Sequence, residues 1–250
     1  MAAVSRPAAV PLRGILFDLD DTLADSTGTD ERIWDRVAAV IGEHVPGVDR
    51  EELRRRYLDV LEAHYAELVA GRVDFLTFRR RRLEAALEPW GTVDDALFER
   101  YVEEKARIAD EMTPFPQAVA TLRALRSGGI RVGVLTNGPS ELQRRKLEVS
   151  GLGPELDAIA ISGEIGHAKP EPDAFAAALE LLGTTARETA MVGDSLENDV
   201  AGAIAAGLGA VVWMPGRRSG DLPPGAHLAR ELTEVPRLLG LDADGRQAPI

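Results

Sequence analysis

Four short stretches of this sequence place acidic, hydroxyl, amide or ammonium groups where the chain leaves an apolar run. The first is Asp18-Leu19-Asp20-Asp21-Thr22-Leu23, directly after Gly14-Ile15-Leu16-Phe17. In an extended segment alternate side chains share a face, so Asp18 and Asp20 point the same way. Two carboxylates side by side repel unless they share a cation or a proton; the alternative is a turn capped by aspartates. The second is Leu135-Thr136-Asn137-Gly138-Pro139. A hydroxyl and an amide before a helix start can hold an anion with help from backbone N–H groups, or can simply satisfy a strand-to-helix turn. The third is Lys169-Pro170, after a glycine-rich loop, Ser162-Gly163-Glu164-Ile165-Gly166-His167-Ala168. This lysine reads as a solvated charge or, with proline fixing the chain direction, as an ammonium aimed inward. The fourth is Val192-Gly193-Asp194-Ser195-Leu196-Glu197-Asn198-Asp199, whose acids either cap a helix or belong to a site.

The elements that must carry these groups follow from the apolar pattern. Gly14–Phe17, Val132–Leu135, Ala158–Ile161, Ala190–Val192 and Ala210–Trp213 are short apolar runs bounded by turn formers, as buried parallel strands are. Helix-period segments separate them at Pro116–Arg126, Ser140–Val149, Pro172–Leu182 and Ser195–Ala206. A further short strand and a helix are expected within Leu222–Leu239. Alternating strands and helices predict an α/β fold, a doubly wound (Rossmann-like) parallel sheet core.

One connection is far longer than a crossover needs. Between the first two strands the chain reads as helices near 29–43, 50–70, 74–88 and 94–111. The division expected is a catalytic core of 12–25 and 113–240, an inserted all-helical cap of 26–112, and loose tails at 1–11 and 241–250. Ligands of open α/β sheets bind at the carboxyl ends of the strands, so an insert after the first strand is a plausible lid.

Composition narrows the partners. The chain has 250 residues, 45% hydrophobic and 28% charged, enough for a substantial core. No apolar run approaches the roughly 20 residues that span a bilayer. Prolines and arginines interrupt the first residues, which read as a loose tail rather than a secretory signal. The absence of cysteine excludes thiolate metal sites and accords with a cytoplasmic location. A net charge of −12 disfavours nucleic acid and anionic membranes as partners. An anionic substrate then requires local compensation.

Four motifs in this order, each at the end of a predicted strand, resemble the haloacid dehalogenase-like (HAD) superfamily from about Gly14 to Leu239. The insert resembles the cap of its phosphatase branch. Ile161-Ser162-Gly163-Glu164-Ile165-Gly166 before Lys169 resembles the sub-branch of nucleotide and N-acylneuraminate-9-phosphate phosphatases. The resemblance implies magnesium-dependent hydrolysis of a phosphate monoester through an aspartyl-phosphate. Asp18 would be the nucleophile and Asp20 the general acid and base. Asp18, the Asp20 carbonyl and Asp194 would hold Mg²⁺. Thr136 and Asn137 would bind phosphate, Lys169 would offset negative charge, and Asp199 would orient Lys169 or metal-bound water. The substrate implied is a small phosphorylated metabolite, a nucleotide or sugar phosphate. Other readings are a phosphosugar mutase, which keeps both aspartates, a haloacid dehalogenase, which needs neither the second aspartate nor magnesium, and a binding protein without catalysis. In the insert, Arg79-Arg80-Arg81-Arg82 points around a whole helix. One of these arginines, or Arg32, is a candidate for contact with substrate.

Overall fold

The computed structural model describes residues 10–69, 72–216 and 218–246, with the backbone alone for 61–69. In chain order it holds β1 (Gly14–Phe17), then four consecutive helices, α1 (Ser26–His44), α2 (Arg50–Val69), α3 (Phe75–Leu87) and α4 (Asp95–Asp110). There follow α5 (Ala118–Ser127), β2 (Arg131–Thr136), α6 (Ser140–Val149), β3 (Ala158–Ile161) and α7 (Ser162–Ile165). The last part comprises α8 (Pro172–Leu182), β4 (Thr189–Gly193), α9 (Gly202–Ala205), β5 (Ala210–Trp213), β6 (Ala226–Leu228) and α10 (Val235–Leu238).

The described residues divide into two compact units. The first runs to Ala24, resumes over Pro114–Thr136 and continues from Gly151 onward. Its sheet has the order β3-β2-β1-β4-β5-β6, with every pair parallel. Both faces of a parallel sheet are covered, which is why its strands read as unbroken apolar runs. All four residues of β1 are buried. Leu16, Leu135, Phe175, Leu182, Met191 and Trp213 share one core. Phe175 is fully buried, and truncating such a ring costs about 3–5 kcal/mol. The winding reverses at β1, with β2 and β3 on one side and β4 to β6 on the other. That reversal opens a crevice at the carboxyl ends of the central strands, where α/β sheets bind ligands.

The second unit comprises Asp25–Thr113 and Asn137–Ser150. Aspartates start three of its helices by accepting otherwise unpaired backbone N–H groups. Asp25 takes Gly28 N at 2.8 Å, Asp74 takes Thr77 N at 2.9 Å and Asp94 takes Leu97 N at 2.8 Å. The cap at Asp25 draws α1 three residues earlier than its apolar periodicity alone indicates. Trp34, Tyr57 and Tyr101 fill the interior, with Trp34 and Tyr57 rings 5.2 Å apart and Tyr57 and Tyr101 rings 6.3 Å apart in an edge arrangement. Lys105, almost wholly buried, pairs with Asp30.

Four expectations are corrected. Helix α6 was assigned to the sheet core, but it packs on α4, and Arg145 Nε lies 2.7 Å from Asp110. Residues 162–168 are not all loop, because α7 forms directly after β3 and ends on Gly166 at φ 77°. The helix expected over Ser195–Ala206 begins with a π-helical turn, Leu196–Ala201. The tail expected from 241 is ordered as far as Arg246: Leu241 is buried and Asp242 receives both Asp244 N and Arg246 N. Residues 1–9 and 247–250 of the expected tails lie outside the described residues. Among the described residues no helix is long and apolar enough to cross a membrane.

Candidate active site

The register of the sheet brings three of the four motifs to one end. Phe17 stands opposite Val134 on β2 and Val192 on β4. Asp18, Thr136 and Asp194 therefore lie at the carboxyl tips of three neighbouring strands. Asp18 N donates to Val192 O at 2.9 Å, which extends the ladder one step and fixes the start of the turn. Asp21 then adopts a left-handed conformation, φ 62°, tolerated by aspartate better than by most residues. Its N–H bonds Ala24 O at 2.8 Å and closes a tight loop.

The third motif reaches the same end through its side chain. Lys169 Nζ donates to Asp18 Oδ1 at 2.6 Å and to Asp199 Oδ1 at 2.7 Å. All three side chains are buried. Pro170 follows Lys169 through a cis peptide bond.

The π turn explains how Asp199 gets there. Ser195 caps it, its Oγ accepting Asn198 N at 3.1 Å. Asp199 Oδ2 reaches back to Ser195 N at 2.9 Å. The wide turn thus rolls the carboxylate back over the tip of β4, a placement that π turns often serve at functional sites. Gly193 makes room for it: a methyl there would stand 2.3 Å from Asp199 Cγ.

Asp194 is buried at the next position. Trp213 Nε1 donates to its backbone oxygen at 2.8 Å, and Arg218 pairs with its carboxylate through Nε. Arg218 was missed in the sequence. It lies in the loop after β5, and only the glycine and basic residues of Pro215-Gly216-Arg217-Arg218-Ser219-Gly220 after a strand end offered a signal.

Asp20, half-buried, lies in the same turn and bridges to Ala24. Thr136 is buried at the tip of β2. Asn137 follows it, half-buried, as the first residue of the second unit's returning segment. Arg32, on α1, donates to Thr29 Oγ1 at 2.8 Å within the helical unit.

The electrostatics are those of a crowded anionic pocket. Asp18 is held well above the usual carboxylate range, chiefly by burial and then by Asp199, Asp194 and Asp20, against the pull of Lys169. Asp194 is pushed up to about 6, by burial first and by Asp199, while Arg218 opposes the rise. Burial alone would lower the Lys169 ammonium, but Asp18 and Asp199 hold it above its ordinary value. The shifts of Asp18 and Lys169 pull in opposite senses for an ion pair. Lys169 stays charged at neutral pH, because it faces two carboxylates, and the upward shift falls on Asp18.

Asp18, Asp194 and Asp199 each place a carboxylate oxygen within 4.8 Å of the others. Three buried carboxylates face two cations, Lys169 and Arg218. The donors are all hard oxygens and negative charge is in excess, which fits a small divalent cation such as magnesium rather than a soft metal.

A family model described as haloacid dehalogenase-like hydrolase matches residues 12–207. Pyrimidine 5'-nucleotidase YjjG of Escherichia coli (strain K12) is 34% identical over 204 residues, covering 80% of this chain and 84% of that protein. N-acylneuraminate-9-phosphatase of Rattus norvegicus is 30% identical over 252 residues, covering 91% of this chain and 94% of that protein. The solved structure of the HAD-hydrolase YfnB from Bacillus subtilis, bound to magnesium, superposes with a TM-score of 0.75 at 23% identity, covering 93% of this chain and 100% of that one.

Proposed function

The chain belongs to the haloacid dehalogenase-like hydrolases, and from that premise we propose that it hydrolyses phosphate monoesters of small metabolites, with Asp18 as nucleophile and magnesium as cofactor. The observation that carries this reading is the Lys169 ammonium held between Asp18 and Asp199 at the tip of the central strand. A lysine so placed favours the ionised form of a buried nucleophile against the burial that opposes it. The two relatives, named for a nucleotide and a sugar-acid phosphate, support a small phosphorylated substrate.

Asp18 attacks phosphorus. A bond forms from its carboxylate oxygen while the ester P–O bond breaks, giving an aspartyl-phosphate. Asp20, as the acid, donates its proton to the departing alkoxide. Water then attacks the acyl-phosphate, Asp20 takes a proton from it, and inorganic phosphate and the Asp18 carboxylate are released. Thr136 and the Asn137 backbone hold phosphoryl oxygens, and Lys169 balances the gathered charge. Asp199 acts through Lys169, fixing its ammonium. Asp18, Asp194 and the Asp20 carbonyl would hold the magnesium ion, which when bound supplies charge neutralisation and polarises the phosphoryl group. The chemistry asked of the protein is positioning and electrostatics, as in phosphoryl transfer generally.

The test is turnover of p-nitrophenyl phosphate with magnesium and with a chelator, followed by rapid-quench mass spectrometry. Magnesium-dependent release of inorganic phosphate and a phosphorylated Asp18 peptide are expected. Asp18→Asn abolishes turnover, and Asp20→Asn lowers it by about 10²–10⁴-fold. Phosphate found on a serine or histidine, or full turnover without metal, overturns the proposal. Transfer of phosphate within a sugar phosphate without its release would favour a mutase instead.

A further inference from the structure

The arginine run on α3 separates into different roles. Arg80 Nη2 bonds Asp95 Oδ1 at 2.6 Å, and Arg82 Nε bonds Tyr57 O at 2.8 Å. Arg81 is exposed. Arg79 is the inward one, only 8% exposed. Among the described residues no carboxylate, carbonyl or hydroxyl accepts a hydrogen bond from it. Its guanidinium instead lies over the Phe75 ring, with Cζ 4.2 Å from the ring centre.

The surrounding groups are already committed. Tyr57 and Tyr101 bond each other through their hydroxyls, and Asp30 is engaged by Lys105. Arg82 lies over the Tyr57 ring, 3.5 Å from its centre. Burial pulls Arg79 below the ordinary guanidinium range, with Tyr101, Tyr57 and Asp30 acting against that pull. An unpaired buried charge is among the least tolerated features of a folded protein. Yet the N–H groups of Arg79 are not sealed in. Among the described residues only Thr22 Oγ1 is a fully enclosed side-chain polar atom without a partner. The guanidinium therefore packs against Phe75 while its N–H groups keep a small exposure to solvent.

That arrangement selects its ligand. The edge of a guanidinium matches a planar carboxylate with two parallel hydrogen bonds. One positive charge balances a monoanion, whereas a phosphate dianion asks for a second cation, and Arg82 is already held by Tyr57. We propose that Arg79 is the anion-binding centre of the helical unit and takes the carboxylate of a small-molecule ligand on its N–H edge. The carboxylate belongs either to the phosphate ester itself or to a separate acid that binds alongside turnover. The first source rests on the phosphatase reading, and the binding site itself does not.

The deciding experiment is thermal unfolding of the full chain in sodium lactate against sodium chloride at equal ionic strength, for wild type, Arg79→Met and Arg79→Lys. Lactate at saturation is expected to raise the wild-type Tm by about 2–4 °C more than chloride does. Arg79→Met should lose this increment and, relieved of an unpaired charge, melt no lower than wild type in chloride. Arg79→Lys, which keeps the charge and loses the fork, should keep less than half of the increment. A role in packing alone would lower the Tm of Arg79→Met in both salts and leave the increment intact, which overturns the proposal. So does a wild type that does not respond to lactate. Should Arg79→Met not fold, Arg79→Lys decides, because an undiminished increment there also overturns it. The source of the carboxylate is read from kcat/KM for O-phosphoserine relative to O-phosphoethanolamine. A fall in that ratio of about tenfold or more in the variants places the carboxylate on the substrate. An unchanged ratio with a lost lactate increment assigns it to a separate acid. Wild-type turnover of p-nitrophenyl phosphate checks the phosphatase reading independently.

Discussion

The Lys169 ammonium lies 2.6 Å from Asp18 Oδ1, and both side chains are almost wholly buried. A carboxylate there would take up a proton if left alone. The same ammonium holds Asp199 at 2.7 Å, so a single cation serves two buried anions. Replacing Lys169 by methionine keeps the length of the stem and strands both. Breaking a buried pair from one side costs about 3–5 kcal/mol, and Lys169→Met should lower stability by that order in a chelator. Magnesium should restore part of the loss, because a divalent cation can take over the neutralisation. The urea midpoint with and without magnesium measures both. A variant as stable as wild type in the chelator would mean that these carboxylates do not need the lysine.

Gly193 is constrained by the same cluster. An added methyl would stand 2.3 Å from Asp199 Cγ and 2.3 Å from its Oδ2. Asp199 cannot swing aside without releasing Lys169 or Ser195 N. Gly193→Ala is therefore an overpacking change and should cost about 1–3 kcal/mol of stability. It should also lower kcat, because it displaces the ammonium from Asp18. Unchanged kinetics in a folded Gly193→Ala protein would show that Asp199 does not set the position of Lys169.

The strands and three of the strand-tip groups were legible because both depend on short-range pattern. A parallel strand buried on both faces announces itself as an apolar run, and Asp18, Thr136 and Asp194 simply follow such runs. The helices of the second unit were legible from periodicity, though the sequence placed the start of α1 late because Asp25, an unremarkable acid in a string, caps its first turn. What could not be read depends on contacts far apart in sequence. Arg218 meets Asp194 across 24 positions, and α6 packs on α4 through a surface that is polar on its own terms. The π turn is a difference of one residue in hydrogen-bond spacing, which periodicity does not resolve. In the run Arg79–Arg82 the sequence offers four identical side chains, and only packing decides which one turns inward.

Asp194 gives a pH dependence with a definite sign. Its carboxyl is pushed up to about 6 in the folded chain by burial, against about 3.9 unfolded. Between those values the folded state keeps a proton that the unfolded state has released. Stability must then fall as pH rises from about 4 to about 6, and flatten above. Asp194→Asn has no such proton to lose. In a chelator, the unfolding free energy of Asp194→Asn relative to wild type should rise across that window by about 2–3 kcal/mol. Urea unfolding at stepped pH gives the difference directly and cancels the carboxylates remote from Asp194. A difference that is flat from pH 4 to 7 would show that Asp194 ionises normally.

Arg218 separates screened from buried electrostatics at the same residue. Its Nε pairs with Asp194 Oδ2, but its side chain is 59% exposed while that of Asp194 is 6% exposed. The pair thus has one end in water. Exposed ion pairs contribute about 0.2–1 kcal/mol, and Arg218→Gln should destabilise the chelated protein by no more than that at low salt. The loss should shrink at about 1 M salt, where the Debye length is about 3 Å. The same substitution has a larger effect on the proton. Arg218 opposes the rise of the Asp194 pKa, so removing it leaves burial and Asp199 unopposed. The window over which Asp194→Asn and its parent diverge should then extend to higher pH in the Arg218→Gln background. Urea unfolding at two salt concentrations and stepped pH tests both statements on one set of four proteins. A stability loss that persists undiminished in high salt would mean the contact acts as a buried hydrogen bond. A window that does not move would mean that Arg218 leaves the charge state of Asp194 to burial and the neighbouring carboxylates.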